Sequence, residues 1–416
     1  MGMNLSDELQ WRGYVNQTTF QDLSVLDGKP LTFYLGVDPS ADSMTVGNLA
    51  IMMLVKTLAK RGHKTVMLVG GATGMIGDPD GKKQERDLLT LEDIARNKAA
   101  VSAQYKTILE DLPFETVDNY DWFKDMNYLD FLRDVGKHVP MRQMLGRDFV
   151  QSRLDSTGIS YAEFSYALIQ GYDFVHLYDK HGVTLQVCGA DQWGNCIAGV
   201  ELVRRMRGGQ ANVLSIPLVV NKTTGVKFGK SEAGAVWLDP SKTSPTAFYQ
   251  FWINLDDAGL EEYLKIYTEL SRSEIESILT EHSANPRLRH GQTRLATEVT
   301  RLIHGQADVD FAQEVTSFLT GAQTIDKASP EALAEIAKQL PGAVSTGSII
   351  DALVDSGLAS SKSEARRFLD GGSISINGVK VTGRDTFTDQ DFLNGHLLLR
   401  RGKAYKDSAL ISLKTD

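Results

Sequence analysis

Residues 31–69 read LTFYLGVDPSADSMTVGNLAIMMLVKTLAKRGHKTVMLV. Two short apolar runs, 31–36 (LTFYLG) and 64–69 (KTVMLV), enclose a stretch of helical length with an apolar face, 49–61. Unbroken apolar runs of that length read as strands buried on both faces, as in a parallel sheet. Gly62 stands where a helix C-cap belongs. The pattern returns downstream, where 184–189 and 213–220 read as strands on either side of a helix over 195–207. Strand–helix–strand alternation predicts a doubly wound, Rossmann-like α/β sheet. A mostly helical stretch, 118–179, interrupts the alternation as an insertion between two halves of the sheet.

The expected organisation is an α/β domain over 1–235, an α-helical domain over 236–330, a linker over 331–346 and a small α+β module over 347–416. In the last, Ser361-Lys362-Ser363-Glu364 is a capping box, and Asn377-Gly378 between two short β-rich runs signals a hairpin. The 416 residues are 42% hydrophobic and carry a net charge of −9, enough apolar material for more than one core and against extended disorder. The two cysteines, Cys188 and Cys196, cannot make a disulfide framework and suit a reducing, cytoplasmic compartment. No apolar run is long enough to span a bilayer. Met1-Gly2-Met3-Asn4-Leu5-Ser6 formally matches a myristoylation pattern but has no second anchoring signal, so no targeting signal is expected.

Four loops could carry chemistry. The first strand leads through Asp38 to Thr45-Val46-Gly47-Asn48 at a helix start, which fits either a nucleotide site or an ordinary capped turn. The second ends in Gly70-Gly71-Ala72-Thr73-Gly74-Met75-Ile76-Gly77-Asp78, with neither P-loop nor dinucleotide spacing. Lys82 and Arg86 follow, as a polyphosphate clamp or a solvated loop. Asp191 and Gln192 stand at a third strand end, and Lys227 and Lys230 flank a glycine further on. Lysines on such a loop can follow charge on a departing phosphate, and equally occur in a plain surface turn. No histidine, cysteine or carboxylate cluster has metal-binding spacing, so no protein-bound metal is expected.

In this order, YLGVDPSADS (34–43), LVGGATGMIGDP (68–79), EFSYALIQGYDF (163–174), GADQWGN (189–195) and KFGKS (227–231) resemble the class I tyrosyl-tRNA synthetases of bacteria and organelles. The resemblance covers essentially the whole chain. It implies that Tyr34 and Asp173 hold a tyrosine hydroxyl, that Asp78, Tyr166 and Gln170 meet its ammonium group, and that Gln192 lies near its carboxylate. Independently, Tyr166, Gln170 and Asp173 fall at i, i+4 and i+7, one face of a helix, and core faces rarely carry Gln and Asp together. By resemblance, Asp38 and Asp191 fix backbone and ribose, Gly47 lets ATP approach the helix, and Leu218 and Val219 flank adenine. Lys82, Arg86, Lys227, Lys230 and Ser231 would hold the β- and γ-phosphates, with Mg2+ accompanying ATP. The family's His-Ile-Gly-His signature is here Thr45-Val46-Gly47-Asn48, and Thr45 would supply one shorter-reaching hydrogen bond where the first histidine donates to the phosphates.

The implied partners are L-tyrosine, ATP and tRNA(Tyr), with a homodimer formed through the insertion and no membrane. The last unit resembles the αL RNA-binding module of small-subunit ribosomal proteins, with Lys362, Arg366, Arg367, Lys380, Arg400 and Arg401 as its expected RNA-facing cations. That unit holds ten Lys+Arg against nine Asp+Glu, so only their arrangement can make a positive face. Two other readings carry distinct expectations. The Thr45 and Asn48 exchanges suit a synthetase-derived RNA-binding or splicing protein, and a tryptophanyl-tRNA synthetase would share the fold class.

Overall fold

The computed structural model describes residues 3–79, 89–146, 148–154, 156, 158–228, 230–231, 234–402 and 407–413. Two compact units result: Met1–Thr243 with Phe251–Ile303, and Ser244–Gln250 with His304–Asp416. The helices expected as one domain over 236–330 thus divide between the two units. Among the described residues no helix is long and apolar enough to cross a membrane.

The first unit is built on six strands: β1 (Gln17–Thr18), β2 (Thr32–Val37), β3 (Lys64–Val69), β4 (Phe114–Asp118), β5 (Val183–Gly189) and β6 (Asn212–Ile216). Their order is β1-β6-β5-β2-β3-β4, with all neighbours parallel except the edge pair β1–β6. The chain winds outward from β2 through β3 to β4, then returns to the other side of β2 for β5 and β6. The β2/β5 boundary is therefore the switch point, where ligands of such sheets bind beyond the carboxyl ends of the strands. β4 was not foreseen, because FETVD shows no apolar alternation. The strand expected over 213–220 stops at Ile216, since Pro217 has no N–H for the ladder.

Between β2 and β3 runs the Val46–Lys60 helix, apolar over nearly its whole circumference because sheet and helices enclose it. Its buried Lys56 ammonium lies 3.2 Å from both Glu110 and Glu269, pairs that offset the cost of desolvating the charge. The insertion contributes the Tyr161–His181 helix, opened by a Ser160/Glu163 capping box. It packs closely on the Trp193–Arg207 helix: a methyl group on Gly171 would come within 2.8 Å of Leu202 Cδ1. That close approach sets the depth at which Gln170 and Asp173 enter the site.

The second unit carries a five-stranded sheet of order β11-β10-β12-β13-β9: β9 (Gly342–Val344), β10 (Ile374–Ile376), β11 (Val379–Lys380), β12 (His396–Arg401) and β13 (Ser408–Ser412). β10 and β11 form the expected Asn377-Gly378 hairpin, Asn377 taking φ 48°. Leu397, Leu399, Ala409 and Ile411 face the Ile349–Asp355 and Lys362–Asp370 helices. Leu398 and Leu410, on the opposite face, pack with Val315, Phe318, Ala332 and Ile336 of the Gln306–Thr320 and Pro330–Gln339 helices.

The linker expected over 331–346 is thus corrected. Ser329 caps a helix with Pro330 in its first turn, and β9 pairs in parallel with β13. The Ala, Ser and Pro content that suggested a linker is helix-start chemistry, and Ala332, Ile336 and Leu340 at four-residue spacing form its buried face.

Candidate active site

A cavity of about 410 Å³ opens at the switch point, bounded by the carboxyl ends of β2 and β5 and by the first turn of the Val46–Lys60 helix. Its closed end holds Tyr34 and Asp173, each about 1% exposed. Burial pushes the Asp173 carboxyl well above its ordinary 3.8, opposed by hydrogen bonds from Asn119 and Trp122. Asn119 Nδ2 donates to one carboxylate oxygen at 3.1 Å and Trp122 Nε1 to the other at 2.9 Å. The Tyr34 hydroxyl, kept protonated by its burial, has no hydrogen-bond partner among the described residues. Such an orphan hydroxyl at the closed end of a cavity is an incomplete network that a ligand hydroxyl can complete.

Asn119 and Trp122 were missed from the sequence. The Asn119 carbonyl oxygen accepts from Ala72 N at 2.7 Å, so its amide is fixed by the glycine-rich loop. The Trp122 indole stacks on His176, with ring centroids 4.2 Å apart and planes 14° from parallel. Their stretch, NYDW, has no periodicity or motif spacing, so only the fold reveals their partner. Trp122→Phe removes one donor and keeps most of the ring. It should lower kcat/KM for tyrosine by about tenfold, the worth of one hydrogen bond to a charged group, as read by steady-state kinetics of tyrosine activation.

Tyr166 and Gln170 face into the cavity on the same helix face as Asp173, as their helical spacing implies. The Tyr166 hydroxyl donates to Asp38 Oδ2 at 2.8 Å, while Asp38 Oδ1 accepts from Thr73 at 2.6 Å. Gln192 donates to Asp78, and Asn195 holds the Gln192 carbonyl oxygen at 3.2 Å. Among the described residues, Gln170 Oε1 is buried without a partner and its Nε2 reaches Cys196 Sγ at 3.9 Å. A second unsatisfied acceptor thus lines the cavity, suited to a cationic ammonium group.

Asp38, Gly47, Asp191, Leu218, Val219 and Lys227 line the open end. Lys227 Nζ rests on Asp191 Oδ2 at 3.0 Å with both side chains half-exposed. Gly47 lies close against the next loop: a methyl group there would come to 3.2 Å from the Phe228 carbonyl oxygen, a tight contact. Lys230 and Ser231 form β7, which pairs with β8 (Gly234–Ala235). Lys82 and Arg86 lie outside the described residues. Among the described residues no group of three or more His, Cys, Asp or Glu side chains could hold a metal ion.

The Thr45–Asn48 pair departs from expectation. Asn48 Oδ1 accepts from both the Thr45 N–H and the Thr45 hydroxyl, each at 3.0 Å. The Thr45 proton expected on a phosphate is therefore engaged in capping the helix. With Oδ1 turned toward two donors, the Asn48 amide nitrogen is the group left to meet a ligand.

The second unit exposes Lys362, Arg366, Arg367 and Lys380. Arg400 is committed elsewhere: its guanidinium donates to the Leu319 carbonyl at the end of the Gln306–Thr320 helix and to Ser408 Oγ at 2.9 Å. Arg401 bonds the Leu358 carbonyl at 2.8 Å and Asp407 at 2.9 Å, and lies over the Phe368 ring.

Residues 26–320 match the family model of the class I tRNA synthetases (W and Y), and residues 332–406 match the tyrosine–tRNA ligase SYY-like C-terminal domain. A Bacteroides thetaiotaomicron tyrosine–tRNA ligase is 42% identical over 96% of this chain and 98% of its own length. Tyrosine–tRNA ligase 2 of Bacillus cereus is also 42% identical, over 99% of this chain and 100% of its own. The C-terminally truncated mitochondrial tyrosyl-tRNA synthetase of Aspergillus nidulans superposes with a TM-score of 0.68 at 29% identity, covering 75% of this chain and 93% of that one. A tryptophanyl-tRNA synthetase of Encephalitozoon cuniculi, 13% identical with a TM-score of 0.53, shares the fold. The chain therefore belongs to the class I tRNA synthetases, in their tyrosine–tRNA ligase family.

Proposed function

We propose that this chain joins L-tyrosine to tRNA(Tyr) in two steps within the cavity described. The observation that carries the reading is that Tyr34 and Asp173, a buried donor without a partner and a buried acceptor, line the same cavity, the pair that a phenol hydroxyl needs. Gln170, Tyr166 and Asp78 then face the ammonium group, which leaves the tyrosine carboxylate toward the open end, near Gln192. There the carboxylate attacks the α-phosphorus of ATP, forming tyrosyl-adenylate and releasing pyrophosphate. No protein nucleophile or general base is needed, so catalysis is alignment plus stabilisation of phosphate charge by the Asn48 amide, Lys227, Lys230 and the Lys82–Arg86 segment. Mg2+ entering with ATP would take its oxygen ligands from the phosphates and water rather than from a protein cage, in keeping with the lack of a three-ligand cluster among the described residues. In the second step a ribose hydroxyl at the tRNA 3′ end takes the tyrosyl group and AMP leaves.

Tyrosine-dependent ATP–pyrophosphate exchange, followed by charging of tRNA(Tyr), tests the reading. Well-folded protein without exchange would refute it, and tight RNA binding without exchange would favour the RNA-binding alternative, which the engaged Thr45 hydroxyl motivates. Tryptophan in place of tyrosine should give far less exchange, because an indole N–H can donate to Asp173 but cannot accept from the buried Tyr34 hydroxyl.

We assign the chain to the cytoplasm, as a homodimer joined through the insertion. Tyr128, Leu129, Met141 and Tyr161, between 58% and 73% exposed, are the apolar side chains that support that interface. The tRNA is proposed to meet Lys362, Arg366, Arg367 and Lys380. If these four cations each neutralise one phosphate, affinity should fall by roughly 10²-fold between 50 and 200 mM salt. A filter-binding titration at several salt concentrations checks this, and a flat profile would refute the phosphate contacts.

A further inference from the structure

The loop that carries Lys227 hangs from one buried side chain on a helix distant in sequence. Residues 218–228 double back on themselves: Phe228 N donates to Val219 O at 2.8 Å and Asn221 N to Val226 O at 2.8 Å. One limb brings Leu218 and Val219 to the cavity, and the other brings Lys227. Tyr263, on the Leu260–Tyr267 helix and 2% exposed, reaches into this turn. Its hydroxyl donates to Val220 O at 3.1 Å and accepts from Lys222 N at 3.2 Å. Its ring lies on Phe228, with centroids 4.6 Å apart and planes 32° from parallel. Phe228 in turn sits against Phe251, Trp252 and Tyr267, with its carbonyl oxygen directly over Gly47. The seat is closely shaped around Tyr263: a methyl group on Gly259 would fall 2.3 Å from the phenol ring.

We propose that Tyr263 is a positioning residue for ATP activation, holding both limbs of the 218–228 turn so that Lys227 and the adenine-flanking residues stand in register. The proposal rests on the ligase reading for the step it serves. A lysine aligned with a departing phosphate loses about 10²-fold in rate when displaced by about 1 Å. Neither Phe228 alone, a non-directional apolar anchor, nor the exposed Lys222–Glu262 pair at 2.6 Å fixes the direction in which the turn points. The Tyr263 hydroxyl does, because it bonds backbone atoms on one limb while its ring packs on the other.

The test is Tyr263→Phe, which removes only the hydroxyl, with Phe228→Leu as a second variant that loosens the ring contact. In Tyr263→Phe, kcat for tyrosine-dependent pyrophosphate exchange should fall about 10-fold, while the tyrosine dissociation constant without ATP and the melting temperature stay unchanged. Hydrogen exchange of the backbone amides of 220–228, measured without substrates, should accelerate in both variants. Wild-type kcat in Tyr263→Phe, or unchanged exchange protection of 220–228, would overturn the proposal. So would an equal loss of tyrosine affinity and melting temperature, which marks core packing alone. If the wild-type chain shows no pyrophosphate exchange, the ligase reading fails, and faster amide exchange in Tyr263→Phe still supports the anchoring of the turn.

Discussion

Asp173→Asn is expected to lower kcat/KM for tyrosine activation by about 10- to 150-fold, since a hydrogen bond to a charged group contributes about 1.5–3 kcal/mol. Its discrimination against phenylalanine should fall further. Phenylalanine strands a buried carboxylate in the wild type but only a neutral amide in the variant. Steady-state exchange with each amino acid reads both effects. The same substitution leaves one of the Asn119 and Trp122 donors facing an amide nitrogen, so what it changes in a predictable direction is the pH dependence of stability. Burial raises the Asp173 carboxyl above its ordinary 3.8, so the folded state binds a proton more readily than the unfolded one. Stability from such a group is fully present below the unfolded value and is lost as pH rises through the folded value. The melting temperature of Asp173→Asn should therefore gain on that of the wild type by a margin that grows with rising pH above about 4. Saturating tyrosine should shrink the margin, because the ligand binds the wild type more tightly and stabilises only the folded state. A difference in melting temperature that stays constant with pH would mean that Asn119 and Trp122 fully offset the desolvation.

Lys227→Ala is expected to lower kcat by about 10²–10³-fold, the usual loss when one stabilising group is removed from a transition-state charge. Tyrosine binding should stay unchanged, since the phenol and ammonium contacts lie deeper in the cavity. The resting contact between Lys227 and Asp191 does not oppose this role. Both partners are half-exposed, and an exposed pair contributes less than about 1 kcal/mol, so an arriving triphosphate readily displaces it. Lys227→Arg should recover only part of the loss, because the planar guanidinium cannot follow a moving phosphate as a compact ammonium does. Pre-steady-state adenylate formation separates these effects from tRNA charging.

Local features of the chain made much of this legible. The parallel sheet showed in 31–36 and 64–69, where burial on both faces demands unbroken apolar runs. Tyr166, Gln170 and Asp173 were legible as one face because helical period maps sequence onto space directly. The helix at Pro330–Gln339 could have been found from its Ser329-Pro330 start, yet composition suggested a linker. Arg400 and Arg401 read as RNA-facing cations because charge is visible in sequence, whereas the carbonyls that engage them are not.

What the sequence determined by itself is the fold class, the order of the loops at the strand ends and the family. These rest on period and spacing, which are properties of neighbouring residues. The tertiary structure alone decided what holds the Asp173 carboxylate, what the Thr45 hydroxyl does and which helix carries the lysine loop. The first and the last of these are hydrogen-bond partnerships of buried or half-buried groups far apart in the chain, whereas the Thr45–Asn48 pair is local and exposed. Asn119 stands 54 positions from Asp173 and Tyr263 stands 43 from Val220. No local pattern encodes such a pair. The cost of leaving a buried polar atom unpartnered selects it only once the chain has folded.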